Sequence, residues 1–269
     1  MITMIAAMSL ACGAFSAAYF AAGWGVGWSI AAGLFAFFVF QLVFGYFMKK
    51  RITADMARVQ DILVEGQRRM QAKMQRWQVR PPGSRQAAQK ELEADTRVFV
   101  KAALDQTETL RKYRLWVPMI DRQMATAQVQ LNWMVKDFKK VDELMPKVIM
   151  ADPTLAAMKM ARMQMLDAPL EEITKVYEKG TRRLRYNQNA LLAACYSWIL
   201  VRREKVDEAF KALTEALKNS DNDTLKRNHE ALMNNRVAHF NNSGLGDQWY
   251  ALHLEEPRVR TQRQHQVFR

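Results

Sequence analysis

The side chains that ordinarily carry chemistry are scattered along this chain. His229, His239, His253 and His265 stand ten or more residues apart, so no two share a helical turn as metal ligands do. Cys12 and Cys195 have no ligand-spaced partner and read as small buried hydrophobes, in keeping with a reducing compartment. The acidic pairs Glu171-Glu172 and Glu255-Glu256 fall at expected helix ends, where solvated carboxylates are ordinary. No phosphate-binding loop, dinucleotide fingerprint, zinc-protease helix, nucleophile elbow or C-x-x-C is present. The glycines of Gly23-Trp24-Gly25-Val26-Gly27 interrupt an apolar stretch and read as a turn. The expectation is therefore no catalytic role, no cofactor and no metal.

What stands out instead is where charge is missing. Residues 1–48 contain no Asp, Glu, Lys or Arg, and the run ends abruptly at Lys49-Lys50-Arg51. About 20 apolar residues cross a bilayer as a helix. The run accommodates two such helices, near 2–22 and 28–48, with the glycine turn between them. Trp24, Trp28, Tyr19 and Tyr46 then fall near the interfaces that aromatic rings favour. A cleaved signal peptide fits poorly, because it would begin with basic residues and have a shorter apolar core. Gln41 is the one strongly polar side chain in either helix, which argues against an ion or proton path.

The excess of +13 is unevenly placed. Residues 49–150 hold 21 basic and 12 acidic side chains, and 258–269 hold four Arg and no acid. Residues 151–257 are neutral by difference. A basic segment abutting a spanning helix suits anionic headgroups. Lys49, Lys50, Arg51 and Arg58 are the membrane-surface candidates, a simpler account of the charge than nucleic-acid binding. The basic cluster also predicts that everything after residue 48 is cytoplasmic in an integral protein of a plasma or bacterial inner membrane.

The elements beyond the hairpin read as helices throughout. Residues 49–150 form a basic stalk. Met56, Val59, Leu63, Gly66, Met70, Lys73 and Trp77 alternate spacings of three and four, a heptad-like seam. Arg80-Pro81-Pro82-Gly83-Ser84 breaks it. A second helix is expected from about Gln86 to Trp116. Past Pro118, the residues Ile120, Met124, Ala127, Leu131, Met134, Phe138, Val141, Met145 and Val148 keep 4-3 spacing without a miss. They predict one helix packed along its length, either within an intramolecular bundle or in a homo-oligomeric coiled coil. A further break is expected at 151–153.

Residues 151–257 show a 36-residue register. Ile173, Ala209 and Leu245 align, as do Tyr177, Leu213 and Trp249, and Gly180, Ala216 and Leu252. Upstream, Met160, Tyr196 and Leu232 align, followed by Ala161, Ser197 and Met233. Turns are expected at Leu166-Asp167-Ala168-Pro169, Arg203-Glu204-Lys205 and Asn241-Asn242-Ser243-Gly244, with Asp167 marking a helix start. The segments 171–180 and 207–217 resemble the second helix of a tetratricopeptide repeat, and Pro257 stands where that family closes a unit. The family's Trp near the start of the first helix is absent; Ala157, Ala193 and His229 stand there. The resemblance implies stacked helix pairs with a concave face that binds a peptide or protein helix. By analogy, that face carries Met158, Arg162, Trp198, Arg202 and Asn234, with an exposed Trp198 flanked by Arg162 and Arg202. Trp and Arg are common interface anchors.

The sequence thus predicts an all-α chain: a transmembrane hairpin (1–48), a coiled-coil-like stalk (49–150), tetratricopeptide-like pairs (151–257) and a basic tail (258–269). The expected role is a membrane-anchored scaffold that binds a protein or peptide. The alternative is a structural or assembly subunit that works through its stalk helices.

Overall fold

The computed structural model describes residues 2–80, 83–117, 119–148, 150, 152–182 and 184–256. The tail 258–269, Pro257, and residues 81, 82 and 151 of the expected breaks lie outside the described residues. All regular structure among the described residues is helical. The chain forms two compact units, residues 1–149 and 150–269.

Unit 1 begins with α1 (Ile2–Ser16), which runs on through a π-helical turn, Ala17–Ala21. After a turn containing Gly23 at φ 67°, the chain returns along α2 (Val26–Val79). Both helices are long and apolar enough to cross a membrane. Their mutual interface is built from small residues. Thr3, Ala7 and Ala18 of the first arm of the hairpin and Ser29 and Gly33 of the second are buried. A Cβ at Gly33 would stand 3.0 Å from the Ala11 carbonyl oxygen, so the backbones approach closely there. Ile5, Met8, Phe20, Trp28, Phe35 and Leu42 point outward. Small residues inside and large apolar residues outside is the reverse of a water-soluble hairpin, and it is how helices pack in lipid.

The helix α2 does not stop at the last apolar residue. Its 54 residues carry the chain to Val79 without a break. The heptad seam then finds its partner in α3 (Arg85–Glu108), which starts at an N-cap where Ser84 Oγ accepts the Ala87 N–H at 3.1 Å. Val59 of α2 joins Val100 and Ala103 of α3 in one core. Gly66 is required, because a Cβ there would overlap the Phe99 ring. Lys73, the polar member of the seam, bonds Glu91 at 2.7 Å and also Asp95. After α3 a 3₁₀ stretch, Thr109–Tyr113, leads into a turn near 114–117.

The single long helix expected past residue 118 is two. They are α4 (Ile120–Met134) and α5 (Phe138–Leu144), the latter followed by a 3₁₀ turn. The 4-3 spacing survives the break because the chain folds over on itself: Trp133 and Phe138 meet edge to face at 5.3 Å. Lys136 takes a left-handed φ of 59°, and Asp137 caps α5 by accepting the Lys140 N–H. One apolar stripe thus serves both arms of a bend, with the α4 side chain Leu131 packed against α3.

Unit 2 contains α6 (Pro153–Met165), α7 (Leu170–Thr181), α8 (Ala190–Arg202), α9 (Val206–Leu217) and α10 (Asp223–Met233). The helix α8 is central: α6, α7, α9 and α10 all pack on it. Of the expected rows in the first two pairs, Met160, Ala161, Ile173, Ser197, Ala209 and Leu213 are inaccessible, whereas Tyr177 and Gly180 are only half-buried. The third pair departs. A turn at 234–236 ends α10, and the expected turn at 241–244 does not join two full helices. In place of a second helix come two 3₁₀ turns, Val237–His239 and Ser243–Leu245, and the four-residue α11 (Asp247–Tyr250). Met233 is 60% exposed, although Trp249 and Leu252 are fully buried. Asp167, expected as a helix start, instead closes α6. Asp167, Glu204 and Asn235 share a left-handed φ after α6, α8 and α10, and each is followed by a 6→1 backbone bond.

Candidate partner-binding surface

The N-terminal ends of α6 and α8 stand beside α11, and an open cleft of about 880 Å³ lies among them. Asp152 fixes the start of α6: its Oδ1 accepts the Thr154 N–H at 2.8 Å. On the opposite side, Asn187 Oδ1 accepts the Asp221 N–H at 2.7 Å and holds the loop before α8. The floor is apolar, with Met158, Leu191 and Leu252. The rim is polar and exposed, with Asn187, Gln188, Asp247 and Gln248. Amides and carboxylates around an apolar floor can hold an extended peptide or a helix edge by paired hydrogen bonds and one apolar anchor.

The sequence-derived candidates divide. Met158 lines this cleft and is 7% exposed. Trp198 does not stand on an open face. It is buried, its indole N–H donates to Glu255 Oε1 at 2.8 Å, and its ring meets Trp249 at 5.9 Å. Arg202 lies 5.0 Å over the Trp198 ring and reaches Glu255 at 3.5 Å. The Trp249 indole donates to the second oxygen, Oε2, at 2.9 Å. The expected docking place is therefore filled by the chain's own C-terminal segment. Trp198 and Arg202 anchor Trp249 and Glu255. Arg162 is half-buried on α6. Asn234 is exposed and donates to the Glu230 carbonyl at 2.9 Å, at the end of α10.

The membrane-surface candidates Lys49, Lys50 and Arg51 are exposed on α2. Arg58 is exposed and bonds Asp55 at 2.9 Å. Asp55 is a buried, paired carboxylate that the sequence did not bring forward. Its side chain is only 6% exposed and binds Lys112 at 2.8 Å and the Tyr113 hydroxyl at 2.9 Å. The bond from Lys112 holds its carboxyl below the usual range; burial opposes this, and Tyr113 and Arg58 assist. An acid between Ile52, Met56 and Val59 was the signal available in the sequence.

Burial pushes the Cys195 thiol up, far from a reactive thiolate. Burial also raises Tyr177 to about 12, where it stacks on Tyr196 at 4.2 Å. Among the described residues no His, Cys, Asp and Glu group is placed to hold a metal ion. Comparison with family models, curated proteins and solved structures gives no match for this chain.

Proposed function

We propose that this protein is a membrane-anchored scaffold whose second unit binds a protein or peptide partner in the cleft between α6, α8 and α11. The observation that carries the reading is that cleft, with its apolar floor and exposed amide rim. In this reading α1 and α2 form a transmembrane hairpin, residues 49–269 are cytoplasmic, and the helix pairs α6–α7 and α8–α9 are tetratricopeptide-like. Two features support the hairpin: a small-residue interface and an outer face of large apolar side chains. The stacking of α6, α8 and α10 as first helices supports the repeat resemblance in two pairs, and the truncated third pair limits it.

A photocrosslinking residue in place of Gln248 or Gln188, in the full chain in its own membranes, should give one defined adduct. The same residue in place of Lys211, exposed on α9, should give none. Equal adducts at all three positions, or adducts at Lys211 alone, would remove the cleft as the binding surface.

The assembly-subunit reading keeps one specific support. An open groove of about 740 Å³ runs between α2 and α3, and Val98 on its edge is 72% exposed. Val64, Met74 and Val79 are exposed on the same stalk. Adducts from a crosslinker at Val98, with none at Gln248, would favour a partner, or a second copy, along the stalk.

A further inference from the structure

The turn after α3 comes back to the place where the charge-free run ends. The Ile2 N–H donates to the Leu115 carbonyl at 3.3 Å, and Thr3 Oγ1 donates to the Trp116 carbonyl at 3.3 Å. The Trp116 ring lies 5.5 Å from Phe44. Leu110, Tyr113, Ile120 and Met124 share a core with Met48. The turn is thus clamped against the first turn of α1 and the last apolar turns of α2. That fixes its height along the hairpin at the level of Phe44 to Met48.

Its inner side packs, and its outer side is open. Leu115 is 62% exposed, Met119 47% and Trp116 36%. In the rest of unit 1, exposed apolar side chains of this size are concentrated on the hairpin itself. Around the turn the charge is one-sided. Residues 44–58 and 108–122 together hold eight basic and three acidic side chains. Arg111 bonds Glu108 at 2.6 Å and Arg114 bonds Asp121 at 2.9 Å, yet both arginine side chains remain 71% exposed. Such exposed pairs contribute little and exchange readily for a phosphate. An apolar tip with a Trp, ringed by Arg and Lys, at the end of a spanning helix is the composition of an interfacial segment.

We propose that Leu115, Trp116 and Met119 insert into the headgroup–acyl boundary of the leaflet from which α2 emerges, with Arg111 and Arg114 on anionic lipid phosphates. The proposal rests on the hairpin spanning the bilayer. It adds a second attachment of unit 1, so that the base of the α2–α3–α4 bundle is seated on the lipid surface rather than suspended from one helix.

Site-directed spin labelling separates the two claims. The full chain carrying Cys12→Ala, with Cys195 buried and unreactive, receives a nitroxide through Leu115→Cys, Phe35→Cys or Val64→Cys. Each is placed in vesicles of phosphatidylcholine and phosphatidylglycerol. Accessibility to oxygen and to a water-soluble nickel chelate should place Phe35 deep, Leu115 just below the headgroups and Val64 in water. In phosphatidylcholine alone, the Leu115 label should move toward water while Phe35 stays. A deep Phe35 label with an aqueous Leu115 label overturns the interfacial turn and leaves the hairpin standing. An aqueous Phe35 label overturns the hairpin and, with it, this proposal. A Leu115 label shielded from both reagents would mean that protein covers the turn, which also overturns it. An unchanged Leu115 depth without anionic lipid removes the role of the two arginines.

Discussion

Asp55 shows how one side chain joins segments far apart in the chain. It sits one turn beyond the basic cluster on α2 and receives Lys112 and Tyr113 from the 3₁₀ stretch that follows α3. Its folded value is depressed, so the stability that it adds is present at neutral pH. That stability fades only as the pH falls below the ordinary carboxylate range, about 4, and through the depressed value. We therefore expect Asp55→Asn to lower the stability of unit 1 by about 1.5–3 kcal/mol at pH 7, the range for hydrogen bonds to a charged group. The deficit should shrink toward acid pH, where the native carboxyl also takes up a proton. Denaturant melts of wild type and variant at neutral and acid pH check this; an equal deficit at both would mean that packing, not charge, holds the contact. The sequence marked Trp198 for its type and angle on α8, but not for its neighbour. Glu255 is 57 residues away, in an acidic pair whose local surroundings suggest solvent. Residue type forecasts what a side chain can do; a partner that far along the chain is set by the fold.

At the level of elements, the apolar spacing located most of the helices, missed one bend and expected a full helix after Gly244 where only the four-residue α11 forms. The 3.5-residue pattern from Ile120 to Val148 cannot distinguish one long helix from two arms folded together, since either places the stripe inward. The difference lies in Lys136, which adopts a left-handed φ without being glycine, and in the capping Asp137. Inward positions were legible at Ile173, Ala209 and Leu213, because each lies on the apolar face of an amphipathic helix, α7 or α9. The pattern failed at Leu245, where Gly244 and Gly246 lie within or beside a 3₁₀ turn and no helix extends. Ala209 is fully buried, whereas Lys211 two residues on is exposed. Ala209→Trp should therefore cost about 1–3 kcal/mol by overpacking. Lys211→Trp should stay within about 0.5 kcal/mol, as surface changes do. Thermal melts of the two variants decide it, and equal midpoints would contradict the burial pattern.

For the whole molecule, the two spanning candidates were legible from absent charge alone, since a water-soluble chain seldom runs for 48 residues without an ionised group. The cleft was not legible, because its walls come from the starts of two helices and from a C-terminal segment that breaks the expected pairing. We expect a reporter that is active only outside the cytoplasm to be silent after Arg269 and active when inserted at Gly25. Activity after Arg269 would reverse the proposed orientation. The 54 uninterrupted residues of α2 have a mechanical consequence. About 31 of them lie beyond the apolar run, a rod of about 46 Å at 1.5 Å per residue. Membranes of different thickness are met by tilting a spanning helix. A tilt of about 10° would swing the far end of such a rod by about 8 Å, estimated from that helical rise. If α2 spans the bilayer as proposed, the α2–α3 tip would then act as a pointer whose position reports the thickness of the bilayer at its base.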